Sequence, residues 1–199
     1  MELESPNTLR NLSELAATKT LIETFKKAIN ALTVRDKGDA QIRDTIKLRQ
    51  TRPSVVKDQG YLIPRKSVFN RIIGDSTFEL VFARFLDDCD DVVSYAKNHD
   101  AVPFKLDYVK ADSELSTYRP DFLVKLSDKR TFIVETKGRE DLDLPLKMQR
   151  LRQWCEDINR VQADVEYDFV YVGQEGFEKY KPDSFRQLID GFNEYKEKI

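Results

Sequence analysis

Two short motifs near the middle of the chain combine residue types that can hydrolyse a phosphodiester bond. Pro120-Asp121 opens one apolar segment, and Glu135-Thr136-Lys137 closes the next. Side chains alternate along a β-strand, so we expect Glu135 and Lys137 to share one face while Thr136 points away. The two motifs therefore predict a pair of carboxylates beside a lysine.

The turn between the two segments decides whether Asp121 joins the other residues. An odd-numbered loop, such as Ser127 to Lys129, would place Asp121 opposite Glu135. An even-numbered loop would place it on the other face of the sheet.

Two neighbouring carboxylates repel each other and become favourable when a divalent cation lies between them. Mg²⁺ prefers oxygen ligands and keeps several waters, so we expect Asp121, Glu135 and the main-chain carbonyl of Thr136 to bind it. We expect Mn²⁺ to substitute for Mg²⁺. A bound cation would activate a water and neutralise phosphate charge, and Lys137 would orient or deprotonate that water.

Other interpretations of the same residues stay open on spacing alone. Asp121 and Lys137 could form an ordinary cross-strand salt bridge, and a second Pro-Asp pair at Pro182-Asp183 is typical of a helix N-cap. A glycosidase could use Asp121 and Glu135, but that chemistry favours an aromatic sugar cleft without a lysine between the acids. The single tryptophan argues against it.

Composition narrows the chemistry further. The chain has 199 residues, 40% of them hydrophobic and 34% charged, which is typical of a folded domain. It has one histidine and two distant cysteines, so we expect neither a histidine-based triad nor a structural zinc site. No apolar run approaches the roughly 18 residues of a membrane span, and the first residues lack a signal core. We expect a cytoplasmic protein without membrane contact.

The net charge is only −2, but the charges are unevenly distributed: residues 41–73 are basic and residues 74–121 are acidic. A basic surface beside a cation site suits DNA phosphate, although a solvated basic helix explains the same charges. We expect segment 41–73 to bind part of the DNA backbone.

The apolar spacing predicts a mixed α/β sandwich around one mixed sheet, preceded by a helical N-terminal part. Proline and glycine punctuation places a boundary near Lys66, giving residues 1–66 and 67–199. The predicted helices cover residues 6–33, 40–49, 76–88, 145–159 and 183–195, and the predicted strands cover 91–96, 103–109, 118–126, 131–138 and 166–173. Ser76 and Glu79 fit a capping box, and Asp143 fits a helix cap.

Four spaced blocks resemble the carboxy-terminal endonuclease region of type III restriction enzymes, the Res subunit. The blocks are KSVFNRIIGDSTFELVFARFL, DVVSYAKN, YRPDFLV and IVETKGREDLDLPLKMQRLRQWCEDIN. The resemblance implies a restriction-endonuclease-like core of the PD-(D/E)xK type, with Asp121, Glu135 and Lys137 as catalytic residues. It also implies that Glu79, on the first helix of this core, assists catalysis and contacts the metal through water.

The resemblance further suggests DNA contacts and partners. Lys97, Asn98, Arg139 and Lys147 are the expected contacts to DNA phosphate. The expected partners are DNA, a helicase-like motor and a methyltransferase subunit, which recognises the site. The sequence has no GxxxxGK[ST] motif, so we expect no ATP site and an isolated nuclease domain or a fragment of a larger subunit.

Two further expectations follow for assembly and for activity. Double-strand cleavage needs two active sites, which a dimer or a partner nuclease would supply. The main alternative is an inactive nuclease-fold module that binds DNA or docks to a motor or methyltransferase, and residues 1–66 are expected to serve as a helical adaptor.

Overall fold

The computed structural model describes residues 6–7, 10, 14–33, 39–51, 60–99, 101–112, 114–138 and 142–196. The chain forms two compact units, one of residues 1–38 and 109–116 and the other of residues 39–108 and 117–199. In the part of the chain described here, no helix combines the length and the apolar character needed to cross a membrane.

The smaller unit contains one long helix, α1 (Leu15–Thr33), which confirms the helical prediction for this part of residues 6–33. Its apolar positions recur at helical spacing but are exposed, with Ile22 at 50% and Phe25 at 60%. Within the same unit, the Lys26 ammonium lies 3.8 Å from a Glu114 carboxylate oxygen.

The remaining described elements follow in chain order. They are β1 (Tyr61–Leu62), β2 (Ile72–Ile73), α2 (Thr77–Asp88), β3 (Val92–Lys97), β4 (Leu106–Val109), β5 (Leu115–Tyr118), β6 (Phe122–Leu126), β7 (Arg130–Lys137), α3 (Leu144–Val161), β8 (Glu166–Gly173), α4 (Gln174–Tyr180) and α5 (Phe185–Gly191).

A four-stranded mixed sheet organises the larger unit, with the strand order β3-β6-β7-β8. The pairs β3–β6 and β6–β7 are antiparallel, whereas β7–β8 is parallel and is connected through α3. This arrangement confirms the predicted mixed α/β fold with a restriction-endonuclease-like core.

The two faces of the sheet carry separate apolar cores, because side chains alternate along each strand. One core joins even-numbered residues of β6 and β7 to α2, α4 and α5, including Phe82, Phe122, Phe132, Val134, Phe177 and Phe185. The other joins odd-numbered residues to α3, including Ile133, Met148, Leu151, Phe169 and Tyr171. Helices therefore cover both faces and fix the sheet between them.

The N-terminus of α2 is capped as the sequence predicts, with one difference. The Ser76 hydroxyl accepts a hydrogen bond from the Glu79 N–H at 3.2 Å. The reciprocal bond from a Glu79 carboxylate oxygen goes to the N–H of Asp75 at 3.0 Å, one residue before the cap. Glu79 is therefore oriented by the helix start and is only 8% exposed.

Replacing Ser76 by alanine tests this cap. We expect Ser76→Ala to lower the free energy of unfolding by about 1 kcal/mol, because an N–H of the first turn loses its acceptor. The unfolding temperature should fall by roughly 2–4 °C. Ser127→Ala, in an exposed loop, is the control, and an equal shift in both variants would contradict a capping role.

Several predicted boundaries are wrong. The helix predicted over residues 40–49 is absent: residues 40–47 have no regular structure, and one turn of 3₁₀ helix follows at Leu48–Gln50. Its two apolar residues are exposed, Ile42 at 51% and Ile46 at 38%. The Asp44 carboxylate accepts from the Thr45 N–H at 2.7 Å, a local bond that competes with helix formation.

The strand predicted over residues 118–126 is divided at Pro120. Tyr118 ends β5 and Phe122 begins β6, because proline has no N–H for the ladder. Four further elements were not predicted or were predicted only in small part, namely β1, β2, most of β5 and all of α4.

The predicted C-terminal helix is shorter than expected. α5 ends at Gly191, and its cap is Ser184, whose hydroxyl accepts from the Gln187 N–H at 3.2 Å. The predicted cap at Pro182-Asp183 is therefore wrong by one residue. Asp143 does occupy the N-cap position of α3, but its side chain makes no capping hydrogen bond.

The larger unit begins at Asp39, whereas the sequence suggested a boundary after Lys66. The Asp87 carboxylate in α2 accepts hydrogen bonds from the N–H groups of Arg65 at 2.7 Å and Lys66 at 3.0 Å. Arg65 and Lys66 are thus bound to the helix that the sequence assigned to the second domain.

Candidate active site

The β6–β7 hairpin places Asp121 opposite Glu135. Its loop has three residues, Ser127–Lys129, and Lys129 adopts a positive φ of 70°. The ladder pairs Phe122 with Val134, and the Asp121 N–H donates to the Val134 carbonyl at 3.0 Å. The loop has an odd number of residues, which is the condition under which Asp121 lies opposite Glu135.

Glu135 is a buried carboxylate, with an exposure of 1%. One oxygen accepts from the Tyr118 hydroxyl at 2.9 Å, and the other lies 3.0 Å from the Lys137 ammonium. Burial and then the Asp121 carboxylate raise the pKa of Glu135 to about 7, although Lys137 and Tyr118 act in the opposite direction. The two carboxylates therefore interact, and Lys137 lies beside one of them.

The Asp121 carboxylate is held from two sides. Its Oδ2 accepts from the Thr136 N–H at 2.8 Å and from the Thr136 hydroxyl at 2.7 Å. Its Oδ1 accepts from the Lys97 ammonium at 3.2 Å. We expected Thr136 to point away from the site, but Asp121 precedes the first residue of β6 and reaches the Thr136 hydroxyl from there.

Lys97, at the end of β3, lies among acidic side chains. It is 2% exposed, and its Nζ lies 2.7 Å from Glu79 Oε2 and 3.7 Å from Asp75 Oδ2. Burial alone would lower the pKa of Lys97, but the carboxylates of Asp121 and Glu79 outweigh burial and raise it. The ammonium stays charged and links Glu79 to Asp121.

Asn98 is also buried, at 5% exposure. Its side-chain amide donates to the carbonyls of Pro120 at 2.7 Å and Phe104 at 3.0 Å. Its N–H donates to the Asp121 carbonyl at 2.7 Å. Because both side chains are buried and engaged within the protein, Lys97 and Asn98 do not fit the predicted contacts to DNA phosphate.

The other two predicted DNA contacts have different outcomes. Arg139 lies outside the described residues. Lys147 lies one turn into α3, partly exposed, with its Nζ 6.0 Å from the centre of the Tyr108 ring. Its contact with DNA stays a prediction.

Tyr118 has a role at the site that its sequence position alone did not reveal. It is buried, at 3% exposure. A buried tyrosine hydroxyl usually has a hydrogen-bond partner, and here the partner is Glu135. Its position three residues before the Asp121 carboxylate was the available signal.

An open cleft of about 490 Å³ adjoins Lys137 at the ends of β7 and β8. Gly138, Gly173 and Gly176 line part of it, together with Lys179. Glycines leave room for a close approach to the backbone. A substrate strand in this cleft would come within reach of the Lys137 ammonium.

The donor set of the site fits a hard cation held by two carboxylates. No group of three or more histidine, cysteine, aspartate or glutamate side chains is arranged to hold a metal among the residues that the structure describes. Mg²⁺ is commonly bound by one or two carboxylates, with waters and phosphate oxygens completing its shell. A dication between Asp121 and Glu135 would offset the repulsion from Asp121, which adds to burial in raising the pKa of Glu135.

A family model described as an endonuclease domain matches residues 65–170, slightly more than half of the chain. The matched range begins where the chain packs onto α2 and includes Glu79, Lys97, Asp121, Glu135 and Lys137. No curated protein and no solved structure matches the chain.

Proposed function

Since the chain belongs to this endonuclease-domain family, we propose that it is a Mg²⁺-dependent DNA endonuclease whose active site consists of Asp121, Glu135 and Lys137. The observation that carries this proposal is the environment of Glu135. A carboxylate buried beside a second carboxylate is costly without a cation between them, and the Lys137 ammonium at 3.0 Å offsets only part of this cost. Such costly arrangements are characteristic of functional sites.

Asp121, Glu135 and the Thr136 carbonyl would hold the cation. The Thr136 N–H already faces Asp121, and in a strand the N–H and C=O of one residue point to the same side. A bound Mg²⁺ would supply a water of lowered pKa and positive charge next to the phosphate.

Lys137 is the group that would position the attacking water. Its side chain is 29% exposed, its ammonium lies beside Glu135, and the residue lines the cleft. From there it can donate a hydrogen bond to the water or to a phosphate oxygen as negative charge develops. Hydrolysis forms a bond from the water oxygen to phosphorus and breaks one P–O ester bond.

Tyr118 fixes the orientation of Glu135 without contacting the phosphate in this proposal. Its hydroxyl donates to the oxygen of Glu135 that does not face Lys137. One oxygen of Glu135 thus contacts Tyr118 and the other contacts Lys137, so the carboxylate cannot rotate freely.

We also propose that the chain acts in a type III restriction-modification system. The support is the resemblance of four spaced blocks between residues 66 and 159 to the Res subunit. In this proposal a motor and a methyltransferase subunit supply translocation and site recognition in the cytoplasm. Two copies of the nuclease site would be needed for a double-strand break.

Plasmid cleavage tests the function directly. We expect the purified chain to nick or linearise supercoiled plasmid with Mg²⁺ or Mn²⁺, and to leave it intact in EDTA. Asp121→Ala, purified in the same way, should be inactive with either cation. Equal cleavage by both proteins would indicate a contaminating nuclease and contradict the proposal.

A second function has one specific observation in its favour. Asp121 and Glu135 each already lie beside a lysine ammonium, Lys97 and Lys137. An inactive nuclease-fold module that binds DNA or docks to a partner subunit would keep such internal ion pairs. Calorimetric titration with Mn²⁺ separates the two functions, because the endonuclease binds the cation and loses this binding in Asp121→Ala.

A further inference from the structure

The end of β3 forms a clamp on the Pro120-Asp121 segment. Asn98 donates two hydrogen bonds to main-chain carbonyls of this segment, from its side chain to Pro120 at 2.7 Å and from its N–H to Asp121 at 2.7 Å. Lys97 adds a third bond, from its ammonium to the Asp121 carboxylate at 3.2 Å. The backbone and the side chain of Asp121 are thus held by two consecutive residues, Lys97 at the end of β3 and Asn98 directly after it.

The strand is interrupted just before Asp121. Pro120 has no N–H to donate, so β6 begins at Phe122. Asp121 is held by the bond from its own N–H to the Val134 carbonyl and by the bonds from Lys97 and Asn98. The two oxygens of Asp121 have different partners, Thr136 for Oδ2 and Lys97 for Oδ1. Removing the Lys97 ammonium would leave one oxygen without its charged partner.

Glu79 contacts the same ammonium. It lies 2.7 Å from Lys97 Nζ, closer than Asp121 does at 3.2 Å. The side chains of Lys97 and Glu79 are 3% and 10% exposed, whereas that of Asp75 is 82% exposed and therefore well screened. The buried contacts are an ion triad of Glu79, Lys97 and Asp121.

We propose that Lys97 is a positioning residue that sets the orientation of the Asp121 carboxylate, and that Glu79 acts by holding Lys97 instead of binding the metal. The consequence for cleavage rests on the proposed function, whereas the ion triad itself does not. The proposal replaces two expectations from the sequence, a phosphate contact for Lys97 and a metal contact through water for Glu79.

The test compares Lys97→Met with the double variant Lys97→Met/Glu79→Gln. In EDTA, Lys97→Met should lower the unfolding temperature by roughly 6–20 °C, because it leaves two buried carboxylates without their cation. The double variant should recover at least half of that loss. The amide oxygen of the introduced glutamine can still accept the hydrogen bond from the Asp75 N–H, so the helix start is kept.

Cleavage is expected to behave differently from stability. At 25 °C and saturating DNA, Lys97→Met should lower kcat by about 10- to 100-fold with little change in KM, as for other residues that orient a metal ligand. The double variant should stay within about threefold of Lys97→Met, because Asp121 still lacks its ammonium. The salt dependence of DNA binding should be the same as in the wild type.

Three results would each overturn the proposal. If the double variant recovered kcat as well as the unfolding temperature relative to Lys97→Met, Lys97 would be a purely structural residue. A further loss of tenfold or more in the double variant would make Glu79 an independent ligand. If the slope of the logarithm of the DNA-binding constant against the logarithm of the salt concentration fell by about one in Lys97→Met, Lys97 would be a phosphate contact.

Lys125→Met is the matched control, because Lys125 is an exposed lysine on β6, the strand that pairs with β3. It should leave the unfolding temperature and cleavage unchanged. If the wild type itself cleaves no DNA, the proposed function fails, but the unfolding temperatures in EDTA still test the triad. A double variant no more stable than Lys97→Met would then contradict it.

Discussion

Glu135→Gln is expected to lower DNA cleavage by a factor on the order of 10³ or more. The glutamine keeps the size of the side chain but loses the negative charge that would attract the cation. One ligand charge of two is removed, and the ammonium of Lys137 loses its partner at 3.0 Å. Initial rates on supercoiled plasmid at saturating Mg²⁺ measure the loss.

The same variant is expected to be more stable than the wild type in EDTA. Burial and the neighbouring Asp121 raise the pKa of Glu135 from 4.5 to about 7. Between these values the folded protein keeps a proton that the unfolded chain has released, so the free energy of unfolding falls as the pH rises. Glu135 should therefore destabilise the metal-free protein by about 3 kcal/mol above pH 7.

Urea unfolding of the wild type and of Glu135→Gln from pH 4 to pH 8 tests the sign of this stability difference. The stability difference should grow in favour of Glu135→Gln as the pH rises from about 4.5 to about 7, and then become constant. Glu156→Gln, at an exposed position on α3, should show neither effect. A variant that loses stability at pH 8 would show that the carboxylate contributes to folding.

Lys137→Met is expected to lower cleavage by about 10²- to 10³-fold. The methionine fills similar space, but it can neither donate a hydrogen bond to the water nor place positive charge near the phosphate. The loss should appear in kcat, because these interactions become strongest in the transition state. Single-turnover cleavage of a labelled duplex at saturating Mg²⁺ measures it.

Lys137→Met should also change the titration of Glu135. The Lys137 ammonium lowers the pKa of Glu135, so its removal should raise that pKa further. The pH-dependent loss of stability in EDTA should then extend to higher pH than in the wild type. Lys125→Met is the control, and an unchanged kcat in Lys137→Met would remove this lysine from the active site.

The sequence by itself determined the local geometry of the site. Apolar alternation predicted the two strands, and strand geometry set the condition that the loop between them must have an odd number of residues for Asp121 to lie opposite Glu135. Ser76 predicted the start of α2, and the spacing of Glu135 and Lys137 placed both on one face. These features depend on residues close together in the chain, so periodicity and turn length are sufficient to predict them.

Only the tertiary structure decided which distant groups surround the two carboxylates. Lys97 precedes Asp121 by 24 positions in the chain, and the contact exists because β3 pairs with β6. A lysine at a strand end is usually solvated. Lys97 is buried because α2 covers that face of the sheet and places Glu79 beside it.

Tyr118 and the helix predicted over residues 40–49 are two further cases in which the tertiary structure decided the outcome. A hydroxyl near a motif has many candidate partners, and the fold selects Glu135. A weakly apolar segment becomes a helix only if another surface covers it, and here Ile42 and Ile46 remain exposed. Local propensity is a small free-energy term, whereas burial and charge pairing are larger and depend on the arrangement of the whole chain.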